Sequence, residues 1–393
     1  MPFAIYALAL AAFAIGSAEF VISGLLPLLS DDLGVSIPVA GLLVTAYAAG
    51  VAVGGPILTI LSARLSQRTV LIGVMVLFTV AQLLCAIAPD YGLLLVARLL
   101  SSFAHGTFFG AGNVMVASLV PPERRGAAFS LFISGITIAN LLGLPGGSAI
   151  GLNFGWRATF LTVAALGAVA VLVLVFRLPN TRSPGERSAT LPAQVRELRH
   201  QQVWLSYLTI TFVMVGTLAF GTYQVPIMQE ITGISPEIIP IYLLIGGLGS
   251  VLGIYLGGRG TDWKPMPTLV TVLLLQAVFF FTMLFAMHDQ VWMTVNLLIT
   301  SILGFAFSTP LQARVITAAH TAPNLASSLI STAFNIGIAA GAAIGAVLIS
   351  SGVSYADIPI VGVISSLCAA TTASLSWWLE RREQDRTLAR PAL

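Results

Sequence analysis

Twelve stretches of mostly apolar residues run through the chain, near 3–29, 39–62, 69–88, 92–120, 127–151, 156–176, 203–226, 238–257, 267–287, 291–312, 325–350 and 358–379. Each is about 20 residues or longer, enough to cross the ~30 Å hydrocarbon core of a bilayer as a helix. A water-soluble fold is excluded on composition: 57% of the 393 residues are hydrophobic and 8% are charged, where a soluble domain carries about 25% charged residues. The first stretch is far longer than the ~7–15 residue apolar core of a signal peptide and lacks a basic flank, so it is expected to remain as span one.

The polar segment 177–202, with Arg177, Arg182, Arg187, Arg196 and Arg199, divides the spans six and six. The expected organisation is therefore a six-helix bundle over 1–176, a linker over 177–202, a second six-helix bundle over 203–379 and a tail over 380–393. Sixteen of the 18 basic residues fall on the side of the termini; Arg157 lies on the other face and Arg98 inside a span. By the excess of Lys and Arg in cytoplasmic loops, both termini are expected in the cytoplasm of a bacterial-type inner membrane. Asp31, Asp32, Asp90, Glu230, Glu237, Asp289 and Asp357 collect on the opposite face, Asp31-Asp32 being read as turn residues.

The halves echo each other. Loops bearing Arg follow span two (Arg64, Arg68) and span eight (Arg259, with Asp262), and Pro-containing hinges precede two Gly-rich spans, at Pro121-Pro122 and at Ala322-Pro323. A parallel six-helix repeat with a substrate site near mid-membrane between the halves is a transporter architecture.

Ionisable groups inside a span cost roughly 2.5–3.5 kcal/mol on insertion scales and are functional candidates by default. Here they are Glu19, Arg98 and His105. At ~1.5 Å per residue, Glu19 lies about 14 Å below the outer end of its span and Arg98 about 9 Å, within reach of a shared cavity. A carboxylate that alternates between a cation and a proton has the properties of a coupling group; the other reading is a fixed Glu19–Arg98 pair locking two helices. His105, about 20 Å down by the same rise, is either a relay or substrate contact or a neutral imidazole bonded between helices. Arg314, ending span ten, is expected to snorkel or to pair with loop groups.

Phe20, Tyr47, Phe108, Asn113, Asn140, Tyr223, Gln224, Asn296 and Asn335 offer a mixed lining for an amphipathic solute, each also able to serve as a contact between helices. Gly143, Pro145 and Gly146 suit close approach and a bend in span five. No GxxxxGK[ST] run cradles a nucleotide, and no Cys, His or acidic cluster has metal-ligand spacing. Cys85 and Cys368 are isolated, and a net charge of +3 without basic clusters argues against nucleic acid. No enzyme constellation, cofactor or metal is expected.

Together the motifs resemble the Major Facilitator Superfamily, specifically its twelve-span drug:proton antiporters of the arabinose-efflux and chloramphenicol-resistance type. Gly16-Ser17-Ala18-Glu19-Phe20 is similar to the first-span signature of the group. Gly54-Gly55-Pro56 through Arg64 and Arg68 is similar to the superfamily loop after span two, although Ala63 replaces the usual Asp and Ser66 the usual Gly. Arg98 with His105-Gly106-Thr107-Phe108-Phe109-Gly110 matches span four, and Ala139 to Gly147 the exporter-associated Gly/Pro motif. Thr222-Tyr223-Gln224-Val225-Pro226, Thr309-Pro310-Leu311-Gln312 with Arg314, and Ala333-Phe334-Asn335 with Gly337 are also family-like. The resemblance implies an all-α polytopic monomer that exports drug-like molecules by proton antiport through alternating access. A sugar or nucleoside efflux permease of the same fold, and a non-transporting membrane sensor, are the alternative readings.

Overall fold

The computed structural model describes residues 1–62, 64–179, 201–318 and 323–388. Among them are twelve helices long and apolar enough to cross a membrane: α1 (Phe3–Leu33), α2 (Ile37–Leu61), α3 (Gln67–Ile87), α4 (Tyr91–Leu119), α5 (Arg125–Phe154), α6 (Trp156–Arg177), α7 (Gln201–Glu230), α8 (Pro236–Trp263), α9 (Pro265–Ala286), α10 (Gln290–Val315), α11 (Pro323–Ser350) and α12 (Pro359–Leu388). They form two six-helix bundles. The interior of the expected linker, with Arg182, Arg187, Arg196 and Arg199, lies outside the described residues, as do Ala322 of the second hinge and Arg390 of the tail.

Helix ends follow local chemistry. α1 runs past the expected 29 to Leu33, so Asp31 and Asp32 sit on its last helical turn; the chain reverses at Gly34, whose φ of 63° lets its N–H bond the Ser30 carbonyl. α10 breaks at Phe307, between Gln290–Ala306 and Ser308–Ala318, where Pro310 cannot donate to the carbonyl one turn back. In α5 a π-helical turn spans Ala139–Gly143. Pro145, lacking an N–H, comes two residues after it, and a local widening of the helix re-seats the groups that Pro leaves unpaired.

Among the described residues three apolar clusters make the core. One joins both bundles on the face away from the termini, with Leu25, Leu43 and Leu94 from the first and Phe220, Tyr223, Leu243 and Ala342 from the second. On the termini side each bundle keeps its own cluster, around Phe78, Phe108 and Phe132 in the first and around Ile210, Leu273 and Phe307 in the second. Contacts between bundles agree: α2 packs on α11, α1 on α7, and α8 on α5 from the π turn onward. The core that the two bundles share, their seal, thus lies away from the termini, and on the termini side each bundle keeps its core to itself.

Tyr223 is the centrepiece of the seal. It is fully buried, and its hydroxyl donates to the Ala342 carbonyl at 3.0 Å. Its ring occupies the space that a Cβ at Gly41 of α2 or Gly345 of α11 would need, so glycine at both positions permits this closure.

Two charged clips fasten the bundles internally. Asp32 accepts from Trp156 Nε1 at 3.0 Å and Arg157 Nη1 at 2.6 Å, while Arg157 Nη2 donates to the Ala88 carbonyl at 3.0 Å. On the termini side Arg314 neither snorkels nor pairs with a loop: it bonds Glu380 of α12 at 2.6 Å and Gln202 of α7 at 3.1 Å. The Arg314 side chain is 9% exposed, whereas those of Arg157 and Asp32 are 40% and 48% exposed. Screening keeps exposed pairs weak, but an abandoned buried charge is costly. Asp32→Asn should therefore lower stability by about 1 kcal/mol or less and Glu380→Ala by about 3 kcal/mol, an order checked by denaturant unfolding of the purified protein.

The seal makes a second prediction. Gly345→Val should displace the Tyr223 ring and open the face away from the termini. A cysteine replacing Leu243, buried in this state, should then react with a maleimide at least about tenfold faster than in the Gly345 background, since a destabilisation of about 1.4 kcal/mol shifts a population tenfold.

Candidate functional site

The deep ionisable residues converge where α1, α2 and α4 meet. Arg98 is fully buried. Its Nη1 donates to the Ala18 carbonyl of α1 at 2.7 Å, and its guanidinium lies over the Tyr47 ring of α2, 4.0 Å from the centroid. Tyr47 also reaches His105, one side of whose ring it meets through Oη and Nδ1 at 3.1 Å; the other side packs on Phe109 with centroids 5.1 Å apart. With the imidazole neutral and its proton on Nε2, Tyr47 is the donor. Arg98, Tyr47 and His105 thus form one chain, with the tyrosine ring between the cation and the imidazole.

Glu19 of α1 is half-buried and directly follows Ala18, whose carbonyl holds Arg98. The two do not form an ion pair within 4.0 Å; the ion pairs among the described residues are Arg157–Asp32 and Arg314–Glu380. Arg98 instead leaves Nε and Nη2 buried without a hydrogen-bond partner. Unsatisfied buried donors each cost about 1–3 kcal/mol, more when charged, so this guanidinium has unused capacity for a further acceptor.

The expected lining residues divide. Phe20 is half-buried next to Glu19 and packs on the shared cluster, and Gln224 is half-buried next to the seal. Asn113 is exposed toward the termini-side end of α4. Phe108 is buried inside the first bundle against Phe109 and Phe132, and Tyr223 is held in the seal. Asn335 donates to Ser331 and keeps a buried, unpartnered Oδ1. Asn296 is turned away from the space between the bundles: it bonds Thr282 at 2.7 Å and Thr300 at 3.1 Å, and it floors a groove lined only by α9 and α10 residues, among them the exposed Phe285 and Trp292. A polar side chain among apolar helices takes the nearest partner, and for Asn296 that partner is intra-bundle.

Asn140 does cross between bundles. Carried on the π turn, its Oδ1 accepts from Ser250 of α8 at 3.1 Å. Gly143 lies against Ser17 of α1, Pro145 is buried and Gly146 exposed. Of the loop residues, Arg68 donates to the Val175 carbonyl at 2.7 Å and Arg64 is exposed; Arg259 rests 5.2 Å from the Tyr255 ring and Asp262 is exposed. Ser250, one serine in a Gly-rich helix, carries no signal in the sequence that distinguishes it. Among the described residues no three His, Cys, Asp or Glu side chains gather as a metal site would require.

The chain resembles known proteins along its length. The family model of the Major Facilitator Superfamily matches residues 8–341. The inner membrane transport protein YdhP of Escherichia coli (strain K12) is 37% identical over 382 residues, covering 97% of each chain. The chloramphenicol resistance protein of Streptomyces lividans is 31% identical over 348 residues, covering 88% of this chain and 89% of the other. A bacterial homologue of the human lysosomal transporter Spinster, solved in an inward-facing and unoccupied conformation, shares the fold with a TM-score of 0.74 at 16% identity, over 99% and 98% of the two chains. Twelve membrane helices in two bundles and a buried cluster of ionisable groups between three of them thus meet a match over most of the sequence: the chain belongs to the Major Facilitator Superfamily of membrane transporters.

Proposed function

We propose that this protein exports small amphipathic, drug-like molecules from the cytoplasm in exchange for protons, by alternating access in the inner membrane. Residues 1–176 and 203–379 are the two rocking bodies and 177–202 the tether between them. With both termini in the cytoplasm, a shared core on the outer face and separate cores toward the cytoplasm support an outward-closed state, and a monomer suffices for the cycle.

The observation that carries this reading is the pair of orphaned donors on Arg98 beside a half-buried Glu19 that is not ion-paired. A carboxylate crosses an apolar barrier at a cost of several kcal/mol unless it is neutralised or paired. Glu19 has both means at hand: a proton, or the free Nε and Nη2 of Arg98. Exchange between the two gives a gate that takes a proton on one face and releases it on the other, while Tyr47 and His105 hold the guanidinium in place. One proton moved through 100 mV supplies about 2.3 kcal/mol, enough for roughly a fifty-fold gradient of a neutral solute. The export direction is supported by the bend in α5 at Gly143 and Pro145 and by the name of the Streptomyces relative.

Reconstituted vesicles carrying an imposed pH gradient test the reading with chloramphenicol as a first solute and a panel of sugars and nucleosides beside it. Wild type should accumulate the amphipathic solute uphill and move protons in return. Glu19→Gln should abolish uphill accumulation by at least about a hundredfold, in the range of a lost essential proton carrier, while retaining downhill exchange; Arg98→Ala should impair both. Uphill transport that survives in Glu19→Gln with its pH dependence intact would refute the assignment of Glu19.

A further inference from the structure

On the face away from the termini, directly over the seal, the bundles leave a cavity of about 360 Å³. α1 contributes Pro27, Leu28 and Asp31, α5 contributes Leu152, α7 contributes Gln229 and α8 contributes Ile239. Its walls thus come from both bundles, and its one formal charge is the carboxylate of Asp31. This volume falls in the range of sites for small molecules.

The neighbouring carboxylates Asp31 and Asp32 have separate fates. Asp32 is consumed by Trp156 and Arg157. Asp31, on the same helical turn, enters neither ion pair of the described residues and lines the cavity. Among the described residues no cation pairs with it: Arg157, the basic residue of this face, is committed to Asp32 and to the Ala88 carbonyl. The remaining carboxylates of the face, Asp90, Glu230, Glu237, Asp289 and Asp357, add to the negative field, which concentrates cations at a low-dielectric cleft.

We propose that this vestibule is a binding site for monovalent organic cations with an apolar body, separate from the Glu19 and Arg98 cluster. Asp31 meets the positive charge, Gln229 offers an amide at the rim, and Pro27, Leu28, Leu152 and Ile239 take the apolar part. A neutral molecule of the same shape finds the walls but not the charge. Because both bundles build it, the site exists while they are closed over the seal and is dismantled when they separate there. Binding is measured without any transport, so the site stands or falls independently of the proposed export.

The experiment uses the full-length protein purified in detergent with Gln229→Cys as a reporter, labelled by a maleimide, the labelling of the unsubstituted chain being subtracted. Tetraphenylphosphonium is the cationic probe and triphenylphosphine oxide its neutral counterpart. The cation should slow labelling at least fivefold at concentrations where the neutral probe slows it less than twofold. Adding Asp31→Asn should remove most of the protection by the cation, by about fivefold as expected for an exposed charge pair, and Asp31→Glu should retain it. Leu152→Cys serves as the reporter if Gln229→Cys does not fold. Protection that survives Asp31→Asn, equal protection by both probes, or no protection at all would overturn the proposal.

Discussion

Lipid offers no hydrogen bonds, and everything in this protein follows from that deprivation. Backbone amides must be satisfied within each segment, which leaves helices as the only spanning element for a chain of this pattern. Side chains obey the same rule one level up. Asn140 finds Ser250 across the bundles, Asn296 finds Thr282 and Thr300 within one, and Gln82 finds Ser101. Formal charges are pushed to the helix ends, where Asp32 and Arg157 or Arg314 and Glu380 clip neighbouring helices. Arg98 departs furthest from the rule, since among the described residues it alone leaves two side-chain atoms buried and unserved.

The distribution of apolar contact gives the fold its directionality. One cluster bridges the bundles and two belong to single bundles. In the proposed change of access the bridging cluster is the part to be remade, while the private clusters stay within one bundle each. Packed cores switch between discrete arrangements instead of deforming continuously, and the closed seal around Tyr223 is one such arrangement.

Much of this is legible in the sequence, and what is not has a common cause. The twelve spans, the six-and-six division and the segregation of charge need only length and polarity, which bilayer thickness fixes. Glu19, Arg98 and His105 stand out because charge in a span is rare, and depth puts them within reach of one another; that Tyr47 links Arg98 to His105 does not stand out. Facing is another matter. These helices are apolar nearly all the way round, so the periodicity that marks a buried stripe on a surface helix is missing. That is why the sequence does not show that Asn296 bonds Thr282 and Thr300 within one bundle, that Tyr223 belongs to a seal, or that Asp31 and Asp32, adjacent and identical, part company in three dimensions.

The π turn in α5 shows how a single residue can be woven into a mechanism. An α-helix advances 100° per residue, so the residue gained across Ala139–Gly143 sets the angular position of everything after it in that helix. Asn140 faces α8, and the stretch from Leu144 to Phe154 meets both α1 and α8, because of that offset. Substituting side chains here alters surfaces one at a time. Deleting one residue would instead turn the whole distal segment as a unit, taking Pro145, Ser148 and Leu152 off their neighbours together. The helix is in this sense tuned by residue count as much as by residue identity.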